Sequence, residues 1–299
     1  MTREWSAICR LPRQEGIGYS NVADGSSTAR GRRCPSHRRW RSLIGSSATI
    51  ASDERLNESW SAIRRIIQGI PADVFELRLK GEKVRASARH GKHLFIVLRD
   101  AMLAMHFGMN GSLQFGRGDE PEPTYTRLRL RFAGGDCLAY INPRRLGGIA
   151  LCTSIEGFVS RVGLGLDVLD DAFDLRAFTA VLAGGKRDVK SVLMDQRLMA
   201  GIGNIYSDEI LFQARIQPRT VARSIGGERA ARLFRSIHET LETAIRCGAG
   251  SERYAERLPK GFLLPQRHRS GHCPRCGTML TTCKVSARTS YYCPHCQPD

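Results

Sequence analysis

An α+β fold is predicted: an N-terminal antiparallel β-sandwich or barrel domain, a helical domain built on a helix–two-turn–helix, and a C-terminal four-cysteine β-hairpin. Three observations predict it. Short apolar runs separated by Gly turns fill Val74–Cys152, helical periodicity replaces them after Gly163-Leu164-Gly165, and two Cys-x-x-Cys pairs close the chain. A run of strands followed by a run of helices indicates segregated α+β layers, not an alternating α/β sheet. The expected domains are residues 1–50, 51–163, 164–262 and 263–299.

Residues 1–50 hold nine Arg and no Lys, many Ser and Gly, and the basic run Arg30-Gly31-Arg32-Arg33-Cys34-Pro35-Ser36-His37-Arg38-Arg39. So little apolar surface cannot offset chain entropy, and disorder is expected. Leu56, Trp60, Ile63 and Ile67 recur at spacings of four, three and four before Gly69 and Pro71, which predicts one amphipathic helix. Lys92–Leu98 and Met102–Phe107 read as apolar strands. Arg127–Phe132 alternates Arg outward with Leu128, Leu130 and Phe132 inward, so an antiparallel sandwich or barrel is expected. Phe173–Leu182, Val189–Met194, Ile205–Ala214 and Glu228–Arg246 read as helices, and residues 248–272 as a loop leading into the cysteines.

The formal net charge is +17 with a pI near 10.0. This favours a polyanionic partner through phosphate contacts and counterion release: nucleic acid first, an anionic membrane surface second, a merely solvated basic surface third. No run reaches the length of a membrane span, and the first thirty residues lack the apolar stretch of a secretory signal. A cytoplasmic protein with no membrane partner is expected.

Four of the ten cysteines form Cys273-Pro274-Arg275-Cys276 and Cys293-Pro294-His295-Cys296, with sixteen residues between the pairs. Two such knuckles can place four thiolates tetrahedrally around one Zn²⁺, and a full set of protein ligands makes that metal structural. The strand-like stretches Thr278–Lys284 and Ser286–Tyr292 supply the hairpin of a zinc finger. Two redox disulfides are the competing reading. Lys284 and Arg288 offer charge to a phosphate backbone, while Tyr291 and Tyr292 are assigned to the small core. Cys9, Cys34, Cys137, Cys152, Cys247 and Cys283 show no pairing pattern and read as ordinary thiols.

From Val189 to Ala214 the sequence gives a short helix, a double turn containing Gly201 and Gly203, and a second helix. Glycine lets backbone approach a phosphate, and the amides of the following helix N-terminus attract the anion. Asn204 can cap that helix or bond a phosphate oxygen. Taken alone, the two glycines are better explained by an ordinary helical hairpin; the full string is what favours the phosphate site.

The strings Arg89-His90-Gly91-Lys92, His106-Phe107-Gly108-Met109-Asn110-Gly111-Ser112-Leu113 and Asn142-Pro143-Arg144-Arg145-Leu146-Gly147 resemble the formamidopyrimidine-DNA glycosylase and endonuclease VIII family. So do Leu193-Met194-Asp195-Gln196, Gly203-Asn204-Ile205-Tyr206 and the cysteine finger, and together these cover about Phe75–Gln297 in the family's order. The resemblance implies a bifunctional DNA glycosylase/AP lyase acting on oxidised bases in double-stranded damaged DNA, as a monomer, with one structural Zn²⁺ held by Cys273, Cys276, Cys293 and Cys296. Such enzymes act on a base rotated out of the duplex. The resemblance further implies that Met109, Arg144 and Leu146 fill the hole left behind. It makes Arg145, Lys186, Lys190 and Asn204 phosphate contacts, with Tyr125 near a family His that contacts DNA. Lys92 and Arg288 become the catalytic basic residues that assist strand cleavage.

Family members begin Met-Pro-Glu, the proline amine attacking the sugar; this chain begins Met1-Thr2-Arg3-Glu4, and Pro35 stands where the family start is expected. Three readings follow: a different true start, favoured by the composition of residues 1–50; a substitute amine such as Thr2 or Lys92; or lesion binding without cutting. The last makes the chain a damaged-DNA or abasic-site binding protein. A zinc-ribbon RNA-binding or transcription protein is a third class; it accounts for charge and cysteines but not for the Lys92, His106 and Asn142 strings.

Overall fold

The computed structural model describes residues 56–61, 66–249 and 252–298; the expectations for residues 1–50 and for Cys9 and Cys34 lie outside the described residues. The first half comprises β1 (Leu56–Ser61), β2 (Ile67–Gln68), α1 (Ala72–Leu79), β3 (Ala86–His90), β4 (His93–Val97), β5 (Met102–His106), β6 (Ser112–Arg117), β7 (Thr126–Phe132), β8 (Asp136–Ile141), β9 (Gly148–Cys152) and α2 (Ile155–Val162). There follow β10 (Leu166–Asp167), α3 (Leu175–Ala183), α4 (Val189–Met194), β11 (Met199–Ala200), α5 (Asn204–Gln213), α6 (Gly227–Cys247), β12 (Thr281–Val285) and β13 (Arg288–Tyr292).

Two sheets form the sandwich. One runs β1-β7-β8-β6 and the other β2-β9-β5-β4-β3, all pairs antiparallel except β2 with β9. Their facing side chains make one core, with Leu128, Leu130 and Phe132 from the first sheet against Ile96, Leu103 and Met105 from the second. The second sheet is covered on its other face as well, where Phe158 of α2 packs on Phe95, Ala104 and Ala150. A sheet buried on both faces needs apolar residues at consecutive positions, which is why β4 and β5 read as unbroken apolar runs.

Two expectations are corrected here. Of the helix expected from Leu56 to Ile67, Leu56–Ser61 is instead β1, paired to β7, and Ile67 opens β2, paired to β9, while Ile63 lies outside the described residues. Burial of Leu56 and Ile67 belongs to strand edges in the sandwich core, so a helical spacing arose from two separate strands. Arg129 does not face outward: it is 7% exposed, and its guanidinium donates to the carbonyls of Gly118 and Glu120, closing the turn after β6.

The helical domain has its own core, centred on Val192, Leu193, Ile210, Leu211, Leu233 and Ile237. Helix α6 ends at Gly248, whose φ of 64° provides the left-handed cap. The hairpin β12–β13 turns through Ser286 and Ala287, both with positive φ, as a two-residue turn of the primed type requires. Phe212 of α5 packs against Leu263, Leu280 and the two buried cysteines, seating the hairpin on the helical domain. No helix among the described residues is long and apolar enough to cross a membrane.

Candidate nucleic-acid interface and metal centre

β5 ends, β9 begins and β4 begins at one end of the second sheet, since His106 pairs with both His93 and Gly148. At the same end of the first sheet β8 ends while β6 and β7 begin, Ile141 pairing with Ser112 and Thr126. The topology therefore gathers Lys92, the loop carrying Met109, the loop carrying Arg144, Arg145 and Leu146, and Tyr125 at one edge of the sandwich.

Those loops are held by a residue that the sequence reading used only as part of a motif. Asn142 is 1% exposed; its Nδ2 donates to the Phe107 carbonyl at 3.2 Å and to the Tyr140 hydroxyl at 2.9 Å, and its Oδ1 accepts from the Leu146 amide at 3.2 Å. The Asn142 amide in turn donates to the Tyr125 carbonyl. One buried residue, through its side chain and its main-chain amide, thus links all three tips. Gly147 allows this close packing, because a Cβ there would overlap the Tyr140 hydroxyl. The tips themselves face solvent: Met109 is 74% exposed, Tyr125 56% and Leu146 50%. Arg144 is exposed with Nη1 3.8 Å from the Met109 sulfur, and Arg145 is exposed with a φ of 54°. A large apolar side chain left in water on a braced loop is poised for an apolar partner.

Lys92 precedes β4 and faces the helical domain and finger. A Cβ on Gly203, at the N-terminus of α5, would stand 3.4 Å from its Nζ. Burial, then the neighbouring Arg288 guanidinium, pulls the Lys92 pKa down to about 8. Arg288 opens β13 and also reaches the Met194 sulfur of α4 at 3.6 Å. Among the described residues neither Lys92 nor Arg288 forms an ion pair. Two cations and a helix N-terminus converging without a carboxylate make an anion site. Beside it, the His93 and His106 rings lie 5.1 Å apart. Burial first and neighbouring cationic groups second depress both, His93 to about 4, which keeps these imidazoles neutral near pH 7.

Asn204 lies at the start of α5 but does not cap it. Gly203 is the capping position, without a side-chain bond, and Asn204 Oδ1 is buried with no partner among the described residues. Lys186 is exposed before α4. Lys190 is corrected: expected at a phosphate, it is fully buried, with Nζ 2.6 Å from Asp208 Oδ1. Its ammonium faces an internal carboxylate, not a surface that DNA can reach.

The four Sγ atoms of Cys273, Cys276, Cys293 and Cys296 all lie within 4.8 Å of one another, with separations of 3.5 Å for Cys276–Cys293 and 3.8 Å for Cys273–Cys296. Zn–S bonds of about 2.3 Å in a tetrahedron put sulfurs about 3.8 Å apart. A disulfide needs about 2.05 Å. The donor set fits one structural Zn²⁺ and not a pair of disulfides. Cys137, Cys152, Cys247 and Cys283 are free thiols.

Three family models match in series: the formamidopyrimidine-DNA glycosylase N-terminal domain over residues 48–149, its H2TH domain over 164–256, and the zinc finger found in FPG and IleRS over 272–298. A formamidopyrimidine-DNA glycosylase of Enterococcus faecalis is 32% identical over 241 residues, covering 78% of this chain and 86% of the relative. The chain belongs to the formamidopyrimidine-DNA glycosylase family. Its relative in Moorella thermoacetica is 37% identical across 72% of this chain and 82% of that one. Among solved members, Lactococcus lactis Fpg in complex with abasic-site DNA superposes with a TM-score of 0.74 at 25% identity, covering 83% of this chain and 93% of that one. The Lactococcus lactis enzyme with FAPY-dG DNA gives 0.75 at 25% identity, over 84% and 95% of the two chains.

Proposed function

We propose that this chain is a base-excision-repair DNA glycosylase/AP lyase that removes oxidised bases of the formamidopyrimidine and 8-oxoguanine type from duplex DNA and then cuts the abasic strand by elimination. The observation that carries the reading is the convergence of Lys92, Arg288 and the α5 N-terminus beside three solvent-facing tips. Damaged duplex lies across the cleft between sandwich and helical domain, the working units being residues 51–163, 164–262 and 263–299.

With the damaged base turned out, Met109 and Leu146 enter the vacated stack and Arg144 meets the orphaned partner base. Arg145, Lys186, Asn204 and Tyr125 fix the backbone. The orphaned Asn204 Oδ1 needs a donor, and its amide can rotate to give Nδ2 to a phosphate while a water satisfies the oxygen. Lys92 and Arg288 hold the phosphates flanking the sugar and stabilise the charge released at elimination. The zinc carries no step; it shapes the hairpin that presents Arg288. A monomer in the cytoplasm, on nucleoid DNA, is the working setting.

Borohydride trapping on duplex DNA carrying 8-oxoguanine or an abasic site tests the reading. A covalent adduct is expected, and peptide mapping of it locates the attacking amine, at the N-terminus or at Lys92. Selective lesion binding with neither adduct nor incision would make the chain a lesion-binding protein instead. In the same assay Arg144→Ala is expected to weaken lesion binding more than undamaged-duplex binding; equal losses would reduce it to a phosphate contact.

A further inference from the structure

We infer that Asp208, inside α5, is a positioning residue that sets where Arg288 of the finger stands relative to Lys92. The inference rests on the reading of Arg288 above. Asp208 is fully buried and accepts four donors from three separate segments. Its Oδ1 takes Lys190 Nζ of α4 at 2.6 Å and Ser290 Oγ of β13 at 2.5 Å; its Oδ2 takes Arg267 Nε at 2.9 Å and the Tyr291 amide at 3.2 Å. Arg267 also donates to the Thr289 carbonyl at 3.3 Å.

The three residues that follow Arg288 are therefore each gripped by this node: Thr289 through Arg267, and Ser290 and Tyr291 through Asp208 directly. In a strand, side chains two apart leave on the same face, so fixing Ser290 fixes the direction in which Arg288 departs. The N-terminus of the same helix places Gly203 beside Lys92 Nζ. Helix α5 thus holds both halves of the anion site, one at its N-terminus and one through a carboxylate one turn further on. The metal-ligating cysteines and Phe212 seat the base of the hairpin on the helical domain, and the Asp208 node grips the strand next to Arg288. The one carboxylate meets two buried cations, Lys190 and Arg267, and offsets part of the desolvation that burial imposes on them.

The test uses the full zinc-loaded chain with Ser290→Ala, which removes one bond of the node and keeps both ion pairs, and with Asp208→Asn. Each is made alone and with Arg288→Ala. Two readouts are taken: single-turnover incision of abasic-site duplex at saturating protein, and the ionisation of Lys92 followed by NMR after reductive ¹³C-methylation. For Ser290→Ala the incision rate is expected to fall about tenfold, zinc content and undamaged-duplex affinity to stay unchanged, and the Lys92 titration to move up towards its position in Arg288→Ala. No further loss is expected once Arg288 is already Ala. A full rate with an unmoved Lys92 titration in Ser290→Ala, or losses that multiply in the Arg288→Ala background, would overturn the positioning role. A full rate in Arg288→Ala alone would instead remove the reading of Arg288, and the positioning role with it. Should Asp208→Asn fail to fold, Ser290→Ala decides, and the Lys92 titration requires no turnover.

Discussion

Arg89 Nη1 lies 2.6 Å from Asp167 Oδ2, an ion pair that crosses from the sandwich to the first strand of the helical part. The same oxygen accepts from the Gly91 amide at 2.9 Å, so the carboxylate holds the turn that delivers Lys92. Both side chains are close to buried, at 13% and 5% exposure. Asp167→Ala leaves a desolvated guanidinium without its anion and is expected to cost about 3 kcal/mol or more. Urea unfolding measures that loss, and incision should fall with it because Lys92 loses its support.

Asn142→Ala removes the staple between the Met109 loop and the Leu146 loop while leaving the Phe107 carbonyl and Leu146 amide in place. The Phe107 carbonyl keeps the Gly111 amide, so the Leu146 amide is the group left without its acceptor, at a cost of about 1–3 kcal/mol. Lesion affinity is expected to drop more than affinity for undamaged duplex, since Met109, Arg144 and Leu146 lose their order while Lys186 and Asn204 lie in another domain. A titration against both duplexes, alongside a thermal melt, checks the two effects separately.

Two buried groups set opposing pH slopes. Burial pushes Glu209 up to about 7 from 4.5, so between those values the folded chain keeps a proton that the unfolded chain has lost, and stability falls as pH rises. His93, lowered from 6.5 to about 4, acts with the other sign: the unfolded chain binds the extra proton, and stability rises with pH across that window. Glu209→Gln removes the first slope only. Compared with the parent, its denaturation midpoint should improve on going from about pH 5 to about pH 7.5; a constant difference between the two proteins would show that Glu209 ionises normally.

Cys276→Ala takes one sulfur from the tetrahedral set and is expected to release zinc, unfold the hairpin and abolish tight DNA binding. Metal analysis and a duplex-binding isotherm on the purified variant are sufficient. Retained zinc with retained affinity would contradict the finger's role.

The cysteine finger could be read from the sequence because metal ligation constrains spacing along the chain itself. The helices α3 to α6 were visible for a similar reason, their periodicity being local. Leu56–Ile67 misled because two short strands, each contributing one core residue, mimic a helical interval that only sheet pairing distinguishes. Lys190 misled because a motif reports that a lysine is present and not which way it points; the partner that turns it inward, Asp208, lies eighteen residues on in a different helix. Asn142 stood within a matched string, yet its bond to the Phe107 carbonyl reaches back thirty-five residues, a pairing that no pattern of residue types encodes.

The bracing by Asn142 separates what the loops are from what they carry. Its side-chain bonds to the two loops run to a main-chain carbonyl and a main-chain amide, and Met109, Leu146 and Arg144 contribute little buried surface of their own. The tips are therefore exchangeable fittings on a fixed mount. Substitutions there can retune which lesion is interrogated, or how long the protein dwells on it, at almost no expense in folding, whereas the mount tolerates no such experimentation. Divergence in damage preference among chains built this way has its cheapest route through those exposed positions.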